Sequence, residues 1–188
     1  MSLYAPAPET TTAPRVRLRP ATLADADLLA GWDREPHVIA CSTDDPDADI
    51  AFGGIDWREE LIDQSDISFY RIAEAGGRPI GVMQIIDPHR EPTHYWGDIE
   101  PGLRAMDIWI GPPDALNKGY GTEMMGLAID QAFADPSVTA VVIDPLNSNA
   151  DAHRFYQRLG FRPVGRRMFD EDDCLVHRLE RADWEARS

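Results

Sequence analysis

A single carboxylate interrupts an apolar stretch in the middle of the chain. Asp107 stands among isoleucine, methionine and tryptophan in the run Leu103–Ile110, which has the composition of a buried β-strand. Burying a lone charge is costly, so a carboxylate in such a place is usually paired or functional. A carboxylate can hold an ammonium group and accept a proton, and Asp107 is therefore the first candidate for a functional residue.

A glycine-rich turn follows this stretch. It reads Asn117-Lys118-Gly119-Tyr120-Gly121-Thr122 and lies between a predicted strand and a predicted helix. Glycines let backbone N–H groups approach an anion closely, and a helix N-terminus and a lysine add positive charge, which is the chemistry that a pyrophosphate requires. The segment matches neither the P-loop nor the dinucleotide-binding pattern. By itself it is equally compatible with an anion site and with an ordinary turn.

Other candidate residues each have a plainer explanation as well. Asp144 is compatible with a turn residue before a proline, and Tyr156 with a packing aromatic. Tyr95 and Trp96 suit stacking against a sugar ring or covering the edge of the core. The histidines His37, His89 and His94 are predicted to be solvated. The acidic run 170–173 is predicted to be a solvated hairpin turn, or else part of a negative rim that attracts polyamines.

Hydrophobic periodicity and turn residues predict the elements that position these groups. The predicted helices cover residues 22–32, 55–63, 119–134 and 149–159, and the predicted strands cover residues 15–19, 67–73, 79–86, 103–110, 138–143, 161–169 and 174–179. Residues 33–54 are predicted to be a long acidic loop, with or without a short helical turn. The order β-α-α-β-β-β-α-β-α-β-β predicts a mixed α+β sheet with one right-handed crossover and disfavours a doubly wound fold.

Composition limits the possible partners. The chain has 33 acidic and 18 basic residues, a formal net charge of −15, which argues against nucleic acid and anionic membranes and favours a cationic partner. Cys41 and Cys174 lie far apart, so neither a disulfide framework nor a metal site is predicted. The chain has no apolar run long enough to span a bilayer. Residues 1–14 lack the features of a signal peptide and are predicted to be a mobile leader, and a cytoplasmic location is expected.

Two motifs in register resemble those of the GNAT acetyltransferases. The frame Leu116–Gly121 is similar to the family's pattern Arg/Gln-x-x-Gly-x-Gly/Ala, with Leu116 in place of the usual Arg or Gln. Downstream, Asn149-x-x-Ala152-x-x-Phe155-Tyr156-x-x-Leu159-Gly160-Phe161 looks like the family's second motif. The resemblance covers the chain from about residue 15, so residues 15–188 are expected to form a single GNAT domain.

The resemblance implies a fold, a co-substrate and a reaction. The fold is a mixed, mostly antiparallel sheet with a β-α-β crossover and a V-shaped split between the strands at 103–110 and 138–143. The co-substrate is acetyl-CoA, and an amine attacks its thioester directly without a covalent enzyme intermediate. The implied cofactor-binding residues are Ile108, Trp109, Ile110, Asn117, Lys118, Gly119, Tyr120, Gly121, Thr122, Asn149 and Tyr156.

A narrower resemblance points to the acceptor. The segment Trp96 to Asp107, with Glu100-Pro101-Gly102-x-Arg104, is similar to the aminoglycoside 6′-N-acetyltransferases of the Ib type. This likeness implies that Asp107 binds or deprotonates the amine, that Asp144 lines the acceptor site, and that Tyr156 protonates the leaving thiolate. It also implies a role in antibiotic resistance. The implied substrate-binding residues are Tyr95, Trp96, Asp98, Glu100, Asp107 and Asp144.

Several alternatives remain open from the sequence. A siderophore-type hydroxylysine N-acyltransferase resembles this chain but carries a histidine at the place of Asp107. A protein N-terminal acetyltransferase would take a peptide acceptor. A non-catalytic module of the same fold would bind CoA or a small cation as a sensor. The sequence leaves open a monomer or a homodimer.

Overall fold

The computed structural model describes residues 15–187, so the predicted leader, residues 1–14, lies outside the described residues. The strands are β1 (Val16–Pro20), β2 (Ser68–Ala75), β3 (Arg78–Ile86), β4 (Leu103–Ile110), β5 (Ala140–Ile143), β6 (Arg162–Phe169) and β7 (Asp172–Glu180). The helices are α1 (Ala26–Trp32), α2 (Pro36–Ser42), α3 (Trp57–Ile62), α4 (Tyr120–Phe133), α5 (Ala150–Arg158) and α6 (Arg181–Glu185). No helix among these residues is long and apolar enough to cross a membrane.

All seven strands belong to one sheet in the order β1-β2-β3-β4-β5-β7-β6. Every neighbouring pair is antiparallel except β4 and β5, which are parallel and joined through α4. The predicted α+β sheet with one crossover is confirmed. The β2–β3 hairpin turns at Gly76 and Gly77, both at positive φ, as a two-residue turn that matches the twist of the strands requires.

The pairing between β4 and β5 is short. It runs from Leu103 opposite Ala140 to Ala105 opposite Val142, and the remaining residues of β4 have no partner on β5. The two strands therefore diverge towards their C-terminal ends. This opening is the predicted V-shaped split.

Apolar side chains cover both faces of the sheet. On one face, α4 and α5 pack with the strands around Met106, Ile129 and Tyr156. On the other face, α1, α2 and α3 enclose a cluster that includes Trp57 and Trp109. A separate cluster, around Trp96, Leu103, Ala105 and Phe169, covers the rest of that face.

The prediction of a loop at residues 33–54 was wrong for its first part. Residues 36–42 form α2, which has Pro36 in its first turn and buries Val38, and a short 3₁₀ turn follows at Ala51–Gly53. Proline suits the start of a helix because its φ is already helical and its missing N–H would have no partner there. The many acidic residues after α2 favoured the prediction of a loop, so the helix start at Pro36 was missed. The terminal helix α6 was also missed.

Candidate active site

Asp107 lies on β4 beside the split. Its side chain is on the same face as those of Ala105 and Trp109, because alternate residues of a strand share a face, so it lies between the two clusters on that face. The carboxylate is half-buried and has no hydrogen-bond partner among the described residues. Desolvation and then the charge of Asp144 raise the pKa of Asp107 to about 7. An unpaired carboxylate with such a pKa is suited to receive a cation or a proton.

A second carboxylate, Asp144, lies just after β5 on the other side of the split. It accepts a hydrogen bond of 2.7 Å from the hydroxyl of Tyr95. The ring of Tyr95 stacks on Phe169, with centroids 4.6 Å apart. Burial raises the pKa of Asp144, and the hydrogen bond from Tyr95 opposes that shift. Together these groups form an aromatic and acidic wall whose chemistry suits cationic, ring-shaped ligands.

Tyr156 approaches the split from the opposite face of the sheet. It is buried in α5, and its ring packs on Phe161. Its hydroxyl makes no hydrogen bond within residues 15–187. Burial, followed by the charges of Asp107 and Asp144, raises the pKa of Tyr156, so the phenol stays protonated at neutral pH.

Helix α2 and the residues after it contact the far side of the split, a connection that the sequence did not indicate. The amide of Asn149 donates to Sγ of Cys41 at 3.7 Å, and the Ser148 hydroxyl donates to Asp44 at 2.6 Å. The N-cap function of Asn149 uses its carbonyl oxygen, which accepts from the backbone of Ala152. The side chain of Asn149 therefore joins α2 to the start of α5.

His37 of α2 contacts the end of β4. It was predicted to be solvated, but its Nε2 donates to the carbonyl oxygen of Ile110 at 2.9 Å. This contact connects α2 with the backbone edge that lines the split.

The open edge of β4 presents two residues to the split. Gly111 N–H donates to the carbonyl of Ile80 on β3, and hydrogen-bonding direction alternates along an antiparallel strand. The backbone groups of Ile108 and Ile110 therefore face away from β3, towards the split. The backbone of Trp109 faces β3, so of the three predicted cofactor contacts on β4 only Ile108 and Ile110 face the split. The N–H groups of both remain for an extended ligand, whereas the carbonyl oxygen of Ile110 already accepts from His37.

The glycine-rich turn has the geometry of an anion site. Gly119 is the N-cap of α4 at φ +81°, a backbone conformation that favours glycine, and Asn117 is also at positive φ. The N–H groups of Tyr120, Gly121 and Thr122 have no hydrogen-bond partner among the described residues. Lys118 is exposed there and is the only lysine of the chain. Uncapped amides and a cation suit a phosphate group.

Three predicted substrate residues lie in other surroundings. Trp96 is only 3% exposed and packs against Phe169, the ring on which Tyr95 stacks. Asp98 is exposed and lines a shallow surface pocket with His89 and His94. Glu100 forms an ion pair with Arg178. The structure does not bring these three side chains together with Asp107.

Comparisons with known proteins agree with this geometry. A family profile described as an acetyltransferase (GNAT) domain matches residues 21–169. The aminoglycoside N(6′)-acetyltransferase type 1 of Klebsiella pneumoniae is 29% identical over 162 residues, which cover 80% of this chain and 75% of that protein. A lysine N-acyltransferase of Mycolicibacterium paratuberculosis is 26% identical over 155 residues, which cover 81% of this chain and 67% of that protein.

One solved structure is similar over nearly its whole length. It is the aminoglycoside acetyltransferase AAC(6′)-Ib in complex with coenzyme A and kanamycin, which superposes with a TM-score of 0.79 at 26% identity. The similarity covers 92% of this chain and 99% of that chain.

Replacing Asp107 by asparagine should stabilise the fold at high pH. An unfolded aspartate titrates at about 4, so between that pH and about 7 the folded state binds more protons and loses stability as the pH rises. The gain in Tm of Asp107→Asn over the native chain should therefore be larger at pH 8 than at pH 5. Thermal unfolding followed by circular dichroism measures both.

Asp49→Asn is the matched control, since Asp49 is exposed and makes no hydrogen bond within the described chain. A gain for Asp107→Asn that is equal at the two pH values would show that the Asp107 carboxyl is not perturbed.

Proposed function

The chain belongs to the GNAT acetyltransferase family, and we propose that it transfers the acetyl group of acetyl-CoA to the 6′-amine of an aminoglycoside. The observation that carries the proposal is the unpaired carboxylate of Asp107 in the split, opposite the Tyr95–Asp144 pair. The relatives named above that act on aminoglycosides support this choice of acceptor. We take residues 15–188 to be the unit that performs the reaction.

Two surfaces of the split suit acetyl-CoA. The uncapped amides of Gly121 and Thr122 and the ammonium group of Lys118 would hold its pyrophosphate. The backbone edges of Ile108 and Ile110 would hold its extended arm. When bound, acetyl-CoA supplies an acetyl group activated as a thioester.

Asp107 would bind the acceptor amine. Its carboxylate attracts an ammonium group, and the surrounding negative charge of the chain raises the local concentration of polycations. The bound ammonium group would first lose one proton to water, which gives the neutral amine. As the amine nitrogen forms the C–N bond and the C–S bond of the thioester breaks, a second N–H bond would break and its proton would pass to an oxygen of Asp107. A carboxyl whose pKa is raised accepts that proton more readily than an ordinary aspartate does.

Tyr156 would assist the leaving sulfur. Its hydroxyl is protonated and has no partner among the described residues, so it can donate a hydrogen bond to the thiolate and then its proton. The raised pKa of the phenol makes full transfer uphill, because a thiol titrates at about 8.5. Hydrogen bonding to the developing charge is therefore the larger part of its contribution.

The acceptor group is tested with neomycin and paromomycin, which differ in carrying an amine or a hydroxyl at the 6′ position. The kcat/KM for neomycin should exceed that for paromomycin at least about 10²-fold, because a site built around a reacting amine loses both nucleophile and charge pair in the hydroxyl analogue. Thiol release measures the rate, and fragmentation by mass spectrometry locates the acetyl group.

Two variants accompany this comparison. Asp107→Asn should lower kcat/KM for neomycin at least about 10²-fold, or roughly 2.7 kcal/mol of transition-state stabilisation, whereas Asp49→Asn should leave it nearly unchanged. Hydroxylysine and an N-terminal peptide serve as rival acceptors. Efficient acetylation of either one, with no reaction of neomycin, would refute the aminoglycoside assignment and leave the family membership intact.

Tyr156→Phe should lower the single-turnover rate of acetyl transfer about 10²-fold, since it removes only the hydroxyl. Single-turnover measurement is chosen because it is not limited by product release. The affinity for CoA, measured by calorimetry, should change less than twofold. An unaltered rate in this variant would assign Tyr156 to packing alone.

A further inference from the structure

A guanidinium group lies against the glycine-rich turn although it comes from the other end of the chain. Arg15, immediately before β1, donates from Nη2 to the carbonyl oxygen of Lys118 at 3.1 Å. Its guanidinium carbon is 5.2 Å from the centre of the Tyr120 ring. A Cβ placed on Gly119 would be 3.4 Å from its Nη2. Arg15 therefore spans the turn that opens α4.

We propose that Arg15 binds the pyrophosphate of acetyl-CoA together with Lys118 and the first amides of α4. The proposal rests on the proposed function, because it assigns one more residue to the same cofactor site. Nothing in the local sequence of the turn indicates it, since more than one hundred positions separate Arg15 from Lys118.

Glu123 holds this guanidinium in place. Its carboxylate accepts from Nε of Arg15 at 2.7 Å and from the backbone N–H groups of Arg15 and Val16 at 2.9 and 3.2 Å. Val16 is anchored in the core beside α4. These contacts with Glu123, the Glu123 clamp, fix the backbone and one edge of the guanidinium. They leave Nη1 without a partner among the described residues. The side chain of Arg15 is 59% exposed, so an anion can reach it.

The negative net charge of the chain makes a guanidinium group at the CoA site useful. CoA is a polyanion, and a protein with a formal net charge of −15 repels it at long range. Binding therefore needs positive charge close to the phosphates. Lys118 is the only lysine, and Leu116 brings no charge to the turn. Arg15 supplies a second cationic group beside the turn. Glu123 pairs with its Nε and Nη2, and its Nη1 is left to donate to a phosphate oxygen.

The test compares the affinity for CoA of four proteins: the native chain, Arg15→Ala, Arg15→Lys and Arg17→Ala. Arg17 is exposed on β1 and makes no hydrogen bond or ion pair within the described residues, so its replacement removes the same charge two residues away without touching the turn. Calorimetry should show Kd raised about 10-fold in Arg15→Ala, partly restored in Arg15→Lys, and changed less than twofold in Arg17→Ala.

Dephospho-CoA distinguishes the two phosphate positions. If Arg15 contacts the pyrophosphate, Arg15→Ala should weaken binding of CoA and of dephospho-CoA by the same factor. A loss seen with CoA and absent with dephospho-CoA would place Arg15 on the 3′-phosphate and overturn the proposal. Equal losses in Arg15→Ala and Arg17→Ala would also overturn it, since they would reflect net charge alone.

The outcomes separate this inference from the proposed function. If the native chain does not bind CoA, the proposed function fails. If the native chain binds CoA and Arg15→Ala binds it equally well, only the assignment of Arg15 fails. Thermal unfolding of each variant shows that it is folded, and Arg15→Lys retains a charge at the clamp should Arg15→Ala unfold.

Discussion

The early end of the pairing between β4 and β5 determines the rest of the site. After Ala105 and Val142 the two strands separate, and the backbone of Ile108 and Ile110 loses the partner that a regular sheet would provide. An unpaired strand edge inside a domain needs hydrogen-bonding partners, and an extended ligand can supply them. The same opening gives Tyr156 on one face of the sheet and Asp107 on the other access to one space.

Charge is separated along this opening. At the start of α4, Lys118 places a positive charge beside uncapped amides, and Arg15, which pairs with Glu123, adds a guanidinium group there. Towards the ends of β4 and β5, Asp107 and Asp144 place two carboxylates at low solvent exposure, where desolvation raises both pKa values and the charge of Asp144 raises the pKa of Asp107 further. This separation of charge suits a polyanion and a polycation that bind to different parts of the same split.

The sequence predicted the parts of the site that local patterns encode. A carboxylate in an apolar strand and glycines before an amphipathic helix are local signals, and Asp107 and Gly119 were found in this way. The contacts of Arg15 with Lys118 and of Cys41 with Asn149 join residues about one hundred positions apart, and no local pattern carries that information. Tyr95 and Trp96 are neighbours in sequence, and both were assigned to the substrate. Only the packing of the fold shows that the Trp96 ring is buried and the Tyr95 ring is exposed.

The most direct test of the central claim is the titration of the Asp107 carboxyl by carbon-13 NMR, with its signal assigned by its absence in Asp107→Asn. In the free protein the midpoint should be near 7, because desolvation and the charge of Asp144 raise this pKa. With CoA and neomycin bound, the midpoint should fall, because an adjacent ammonium group favours the carboxylate. A midpoint near 4 in the free protein would contradict a role for Asp107 in accepting the proton, and a midpoint that neomycin does not change would contradict a role in binding the acceptor amine.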